Sequence, residues 1–303
     1  MNMRILISNN EKEKNKEINV NMIKQSFQIC EGIGELTEQK LWQLGFQNWD
    51  KILQSKMPES FSRAKWRNLQ SELVKFKTIL DKNDFSEFNK VCPSKLLWRS
   101  IPELFGKIAF LDIETTGLNR FRNKITTIAV YDGIQCHNFV NGKNLDDFPE
   151  FIKKFPAIAT YYGKGFDIPF INHKLGIHMD QIHYDLCFLL RKVGITGGLK
   201  SIEKQFKISR GNMADLDGYS AVVLWKKYQK TKEEKYLHTL LAYNNEDVIN
   251  LEPLLCIAYN KLIRKFDTPF KKLVNPVKKI PNPFIADKSV IKELKRETLS
   301  YFP

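Results

Sequence analysis

Cysteine is scarce and scattered. The five (Cys30, Cys92, Cys136, Cys187 and Cys256) never fall into a CxxC spacing, which argues against a structural zinc site or a disulfide scaffold and fits a reducing interior. No apolar run approaches the roughly 20 residues that span a bilayer, and the first residues are polar rather than signal-like. The expectation is a protein without a membrane partner that works in the cytoplasm, nucleoid association being compatible with this. Acids are in deficit: 34 Asp and Glu face 48 Lys and Arg, for a formal net charge of +14 and a pI near 9.4. Such a balance has two readings, solubility in a lysine-rich proteome or a polyanionic partner, most simply nucleic acid.

With 303 residues, 43% of them hydrophobic, the chain can bury a real core and divide into domains. Residues 1–21 carry Lys, Glu and Asn and read as a mobile polar tail. Residues 22–99 read as a helical domain with its connector. There Phe27, Ile29 and Cys30 precede Gly32-Ile33-Gly34, and Leu36–Gly45 reads as a short amphipathic helix closed by glycine. Helix, Gly-Ile-Gly turn, helix is a helix-hairpin-helix-like pattern, whose turn either binds phosphate or docks structurally; Glu31 and Glu35 weaken the first option. From Trp49 to Leu80 the spacing of Trp49, Ile52, Leu53, Trp66, Leu69, Leu73 and Phe76 predicts continuing helix. Residues 100–263 alternate strand and helix signals, an α/β pattern. Residues 264–303, rich in proline and lysine, read as a loosely structured basic tail with a short helix near Val290–Thr298.

Lys107–Leu111 has the length and composition of a buried strand, and it continues into Asp112-Ile113-Glu114-Thr115-Thr116-Gly117. Two residues apart on an extended backbone, Asp112 and Glu114 leave the same face. Carboxylates crowded on an apolar face repel and cost desolvation; a cation such as Mg²⁺ or Mn²⁺ relieves that cost, while ordinary solvated acids at a strand end remain the plain alternative. Asp132-Gly133 marks a hairpin between Ile125–Tyr131 and Gln135–Val140. Asp167 follows the strand Ala157–Tyr161, at the start of a predicted helix, where a carboxylate also suits a cap. Asp185 ends the strand Ile182–Asp185 and reads as a strand-end or cap residue ahead of a metal ligand, and Asp215 and Asp217 read as caps. In the long helix predicted over Lys232–Leu262, Tyr243 and Asp247 lie one turn apart on one face. Lys164 and Lys200 suit phosphate or plain solvation; Tyr162 and Phe166 suit base stacking, with Phe166 equally suited to the core.

Asp112-x-Glu114-Thr-Thr-Gly, then Gly163-x-x-Phe166-Asp167, then Tyr243-x-x-x-Asp247 resemble, in order, the three exonuclease motifs of the DEDD superfamily. The tyrosine four residues before the last Asp is similar to the branch shared with polymerase-associated proofreading domains. The chain is most similar to the YprB-like ribonuclease-H-like exonuclease family, over Phe110 to about Leu255, including His183-Tyr-Asp-Leu186 and Gly197-Gly-Leu-Lys-Ser-Ile-Glu203; the segment Gly32–Trp49 is similar to its helical preamble. Tyr161-Tyr162-Gly163-Lys164 stands where many relatives have Tyr-Asn-Gly-Lys. The resemblance implies a ribonuclease-H-like mixed sheet flanked by helices. It further implies two divalent ions, Mg²⁺ or Mn²⁺, on Asp112, Glu114, Asp167 and Asp247, with Tyr243 orienting the attacking water. The implied reaction is 3′→5′ phosphodiester hydrolysis on single-stranded 3′ ends of DNA or RNA. The rival expectations are a catalytically silent nucleic-acid-binding module, a structure-specific endonuclease on the same fold, and an interaction protein docking through the helical region.

Overall fold

A computed structural model describes residues 22–214, 216–266, 268 and 272–301; the polar stretch 1–21 and Asp215 lie outside the described residues. The chain divides into two compact units at Leu73/Val74. The first unit is helical. It holds α1 (Glu35–Gln43) and α2 (Trp49–Gln54), and α3 (Arg63–Asp81) begins in it. Phe27, Leu41, Trp49, Ile52, Trp66 and Leu69 are among its buried side chains. Two sequence expectations change here. Among the described residues, the segment before the Gly32–Gly34 turn is a single 3-10 turn, Ile23–Gln25, rather than a helix. Glu38 on α1 explains it: its buried carboxylate accepts the Phe27 N–H at 2.6 Å and the Gln28 N–H at 3.0 Å, taking donors that a helix would use. The expected run from Trp49 to Leu80 is interrupted over residues 55–62. Pro58 lacks an N–H and resists helix interiors, and Ser62 starts the next helix by accepting the Lys65 N–H.

The second unit carries the sheet. After α4 (Phe85–Val91), a 3-10 segment Ser94–Ser100 and α5 (Ile101–Leu104) come β1 (Ile108–Thr115), β2 (Ile125–Tyr131), β3 (Cys136–Val140), α6 (Phe148–Ile152), β4 (Ala157–Thr160), α7 (Asp167–Leu175), β5 (Ile182–Asp185), α8 (Leu186–Lys192), α9 (Leu199–Gln205), α10 (Gly218–Thr231), α11 (Glu234–Lys265) and α12 (Lys288–Tyr301). The strand order is β3-β2-β1-β4-β5. The turn over residues 116–124 makes β1 and β2 antiparallel neighbours, and the hairpin at Asp132-Gly133 does the same for β2 and β3. Crossover connections make β4 and β5 parallel to β1. The result is a mixed sheet flanked by helices.

Alternation along β1 sorts its side chains. Ala109, Leu111 and Ile113 join Val130, Phe148, Ile158, Phe170 and Ile171 in an apolar layer on one face. Phe110, Asp112 and Glu114 take the other face, where Phe110 stacks on Tyr131 with centroids 5.8 Å apart and α11 packs. The Leu224, Trp225, Tyr236, Leu237 and Leu240 core joins α10 to α11.

The C-terminal stretch is not the loose tail its prolines and lysines suggest. Asn260 exchanges two hydrogen bonds with the Val274 backbone at 2.7 and 3.0 Å, and Val290, Ile291 and Leu294 of α12 bury in the α10–α11 core. Lys227 adds ion pairs to Glu293 and Glu297 at 2.7 and 2.6 Å. Among the described residues no helix is long and apolar enough to cross a membrane.

Candidate metal centre

β1 pairs with β4 only over Ile108–Phe110, yet it runs on to Thr115 beside β2. Past Phe110 its β4-side hydrogen-bonding edge is therefore free. Asp167, the first residue of α7, fills that edge: its Oδ1 accepts the Ile113 N–H at 3.1 Å. The carboxylate meets the backbone between Asp112 and Glu114 and satisfies a donor that would otherwise be buried unpaired. On the other edge the β1–β2 register shifts between Glu114 and Thr115, a bulge-type irregularity of the kind that re-aims side chains beside functional sites.

From the facing helix α11 comes a polar run in an apolar frame. Asn244, Asn245, Glu246, Asp247, Asn250 and Glu252 are all buried, and each finds a partner, as buried polar groups must. Asn244 donates to Asp112 Oδ2 at 2.7 Å and accepts the Thr127 hydroxyl at 3.0 Å. Asn245 and Asn138 exchange amide hydrogen bonds. Asn250 donates to Glu203 at 2.8 Å, and Lys279 donates to Asn250 and to Glu246. Asn244 thus ties the helix to the strand and fixes the Asp112 carboxylate against it.

These contacts bring Asp112, Glu114 and Asp247 together. Among the described residues they form the one group of acidic, His or Cys ligand atoms, one from each residue, lying within 4.8 Å of one another. Asp112 is partly exposed; Glu114, Asp167 and Asp247 are buried. Burial, then the Asp167 and Asp247 charges, hold the Asp112 carboxyl well above the usual range. Burial and the same two neighbours do so for Glu114. Burial pushes Asp167 up to about 7 against the Ile113 hydrogen bond, and Asp247 up to about 6 against the Arg210 charge. Asp247 Oδ1 lies 2.5 Å from Arg210 Nη2, an ion pair rather than an aligned hydrogen bond. An all-carboxylate set of hard oxygens, largely buried and mutually repelling, fits a hard divalent cation.

Tyr243 sits on α11 one turn before Asp247 and is 4% exposed. Lys200 Nζ lies 5.1 Å and the Arg210 guanidinium carbon 5.4 Å from its ring centroid, contacts that hold an aromatic ring by its quadrupole. Burial and the Asp247 and Glu114 charges keep its hydroxyl protonated. Asp185 is outside the cluster: it caps α8, accepting the Cys187 N–H, and also accepts the N–H groups of Tyr162 and Lys164. Asp217 caps α10 in a reciprocal box with Ser220. Phe166 packs against the apolar layer and Phe170, whereas Tyr162 is exposed.

Sequence reasoning misses Arg210 and Asn244, and meets Glu203 only as part of a motif. Arg210 binds Glu203 through Nη1 at 2.8 Å to both carboxylate oxygens and Asp247 through Nη2, with its side chain 4% exposed. It lies in an irregular stretch, Ile208-Ser209-Arg210, just ahead of a 3-10 turn, where periodicity carries no signal. Asn244 had one: an amide three residues before Asp247, in a polar run set within an apolar helical pattern.

The raised acids have a testable consequence. Ordinary carboxyls titrate near ~3.9, so between about pH 4 and 7 the folded protein keeps protons that the unfolded chain has lost. The stabilisation is complete below that window and is lost as pH rises through it. His183 acts oppositely, since burial lowers it to about 3 and the protein must hold it neutral; its contribution is lost as pH falls from ~6.5. A difference measurement separates the two. Asp167→Asn keeps an acceptor for the Ile113 N–H, so its melting temperature minus that of wild type, in EDTA, should grow steadily from pH 4.5 to 7.5. A pH-independent difference would contradict the assignment.

Residues 109–259 match the family model described as the RNase H superfamily. The domain they build is an RNase H superfamily domain, with an RNase H-like fold. No curated protein matches the chain. Among solved structures, Brucella melitensis NrnC with bound Mg²⁺ is 18% identical, covering 55% of this chain and 78% of that one, with a TM-score of 0.38. NrnC from the same organism bound to pGG is 19% identical over 55% and 78%, with a TM-score of 0.39. A structure described as the apo form of the nuclease is 20% identical over 54% and 76%, with a TM-score of 0.38. Likeness at this level bears on neither substrate nor mechanism.

Proposed function

We propose that the protein is a metal-dependent nuclease of the YprB-like, tyrosine-bearing branch, removing nucleotides from the 3′ ends of single-stranded DNA or RNA. Asp112, Glu114, Asp167 and Asp247 hold two divalent cations, Mg²⁺ or Mn²⁺, and Tyr243 orients the attacking water. The observation that carries this reading is the convergence of three carboxylates from β1 and α11 within 4.8 Å, with Asp167 clasped to the backbone between two of them. Divalent ions in such a set supply Lewis-acid polarisation of a phosphodiester and a water acidic enough to attack near neutral pH. The chain's own groups do the rest. Asn244 fixes Asp112, Arg210 fixes Asp247, and the protonated Tyr243 hydroxyl offers one oriented hydrogen-bonding group beside them. The net charge of +14 draws in a polyanion, and the order of the three motifs supports the exonuclease polarity by resemblance. A silent binding module is favoured by one contact only, the Arg210 cation already set against Asp247.

Linear and circular single strands, incubated with Mg²⁺ or Mn²⁺, test the reading. Linear strands should shorten stepwise and circles should survive; cut circles would make the protein an endonuclease, and intact linear strands a silent module. Tyr243→Phe keeps the ring between Lys200 and Arg210 and removes only the hydroxyl. Its single-turnover rate should fall by roughly ten- to thousandfold, the loss expected for one oriented catalytic contact, with metal affinity unchanged. A wild-type rate would make Tyr243 a packing residue.

A further inference from the structure

On the nuclease reading above, we propose that Tyr162, backed by Phe188 and positioned by Asp185, is a stacking platform for one nucleobase of the single-stranded substrate. Tyr162 follows β4 with φ +63° and is 50% exposed. A left-handed backbone is unfavourable for a bulky residue, and glycine or asparagine would hold it more easily. The surroundings over-determine it. The N–H groups of Tyr162 and Lys164 donate to the two carboxylate oxygens of buried Asp185, each at 3.0 Å. Gly163 N–H donates to Thr160 Oγ1 at 3.1 Å, and Gly165 N–H to the Tyr162 carbonyl at 3.1 Å. A turn fastened this firmly around a strained tyrosine presents the ring outward rather than burying it.

What the ring faces suits a nucleic-acid strand. Phe188, 40% exposed, lies with its centroid 6.3 Å from that of Tyr162 at an interplanar angle of 37°, so the two rings are already in contact range. A base therefore stacks on the exposed half of Tyr162, not between the rings. The Arg191 guanidinium carbon is 5.7 Å from the Phe188 centroid, and Lys164, in the same turn as Tyr162, adds positive charge. Bases stack on aromatic side chains while basic groups follow the backbone phosphates; a duplex keeps its base faces covered, which points to a single strand. Position agrees. β4 and β5 run parallel to β1, so their C-terminal ends, carrying Tyr162 and Phe188, lie at the same edge as Asp112 and Glu114. Asp185 acts electrostatically on Asp167, and the Tyr161 hydroxyl donates to the Gly197 carbonyl at 2.5 Å, tying this loop to the one that precedes Lys200.

The test uses a short single strand carrying 2-aminopurine, whose fluorescence is quenched by stacking, bound in EDTA so that nothing is cut. Wild type should quench the probe. Tyr162→Asn should lose the quench and bind roughly tenfold or more weakly, with a melting temperature equal to or above wild type because the strain is relieved. Tyr162→Trp should retain both quench and affinity. Gly165→Ala gives an independent arm: an added Cβ would stand 2.8 Å from the Tyr162 ring and must push it aside, so it too should bind more weakly. Wild-type quench and affinity in Tyr162→Asn would overturn the platform, and so would a lowered melting temperature, which would make the ring part of the fold. Stacking that Tyr162→Asn abolishes, in a protein that cuts no strand with Mg²⁺ or Mn²⁺, would keep the platform and refute the nuclease. Cleavage with Tyr162→Asn indistinguishable from wild type would do the reverse, and no binding at all would refute both.

Discussion

Replacing Asp112 by asparagine should cut the hydrolysis rate by roughly a thousandfold or more, at or beyond the loss for removing one preorganised electrostatic contact. The same change should raise the melting temperature of the metal-free protein. Both effects follow from one fact, that Asp112, Glu114, Asp167 and Asp247 act on one another with like charge in a buried setting. An amide keeps the shape and can still accept the Asn244 N–H, so packing is preserved while one repelling charge disappears. Relief of about 1 kcal/mol corresponds to roughly 2–4 °C in a domain of this size. Added Mg²⁺ or Mn²⁺ should stabilise wild type more than Asp112→Asn. Thermal melts with and without metal, run beside single-turnover rates, read all three outcomes; a variant that cuts like wild type would remove Asp112 from the site.

Arg210→Met should be the most destabilising single change near the site. Its side chain is 4% exposed and faces Glu203 and Asp247, which are as deeply buried. Removing the cation leaves two buried carboxylates without their counter-charge, a loss of about 3–5 kcal/mol, or on the order of 10 °C. Asn250 and Lys279 do not replace it, because Asn250 is neutral and Lys279 is engaged by Glu246, Asn250 and the Ser209 carbonyl. Glu203→Gln added to Arg210→Met should restore part of the loss, since one orphaned charge is then gone. Divalent metal should rescue Arg210→Met more than wild type, the cation taking over the charge at Asp247. Equal rescue of both proteins would mean that Arg210 and metal do not share that carboxylate.

The sheet is legible in sequence where local rules govern it. β1 reads from an apolar run continued through two carboxylates at strand spacing, and β2 and β3 read as strands paired around the Asp132-Gly133 turn. Tyr243 and Asp247 share a helix face by spacing alone. What does not read from sequence depends on distant partners. Nothing local tells that Asp167 will occupy the free edge of β1 at Ile113, or that Arg210 will reach back from an irregular loop to Asp247. The C-terminal stretch misleads because its prolines and lysines dominate composition. Val290, Ile291 and Leu294 nonetheless make a narrow apolar stripe that needs only the α10–α11 groove to become core. At the other end, Glu38 overrides the helical reading of Phe27 to Cys30 with hydrogen bonds to backbone N–H groups eleven and ten residues away.

The most direct measurement is degradation of matched 5′-end-labelled DNA and RNA single strands by protein stripped of metal with EDTA, before and after Mg²⁺ or Mn²⁺ is restored. The cluster of Asp112, Glu114 and Asp247, with Asp167 on the adjoining backbone, predicts intact strands in EDTA. On restoring metal it predicts a ladder of products shortened from the 3′ end, absent with Asp112→Asn. Cleavage that proceeds unchanged in EDTA, or strands that stay whole with either metal at any concentration, would contradict it.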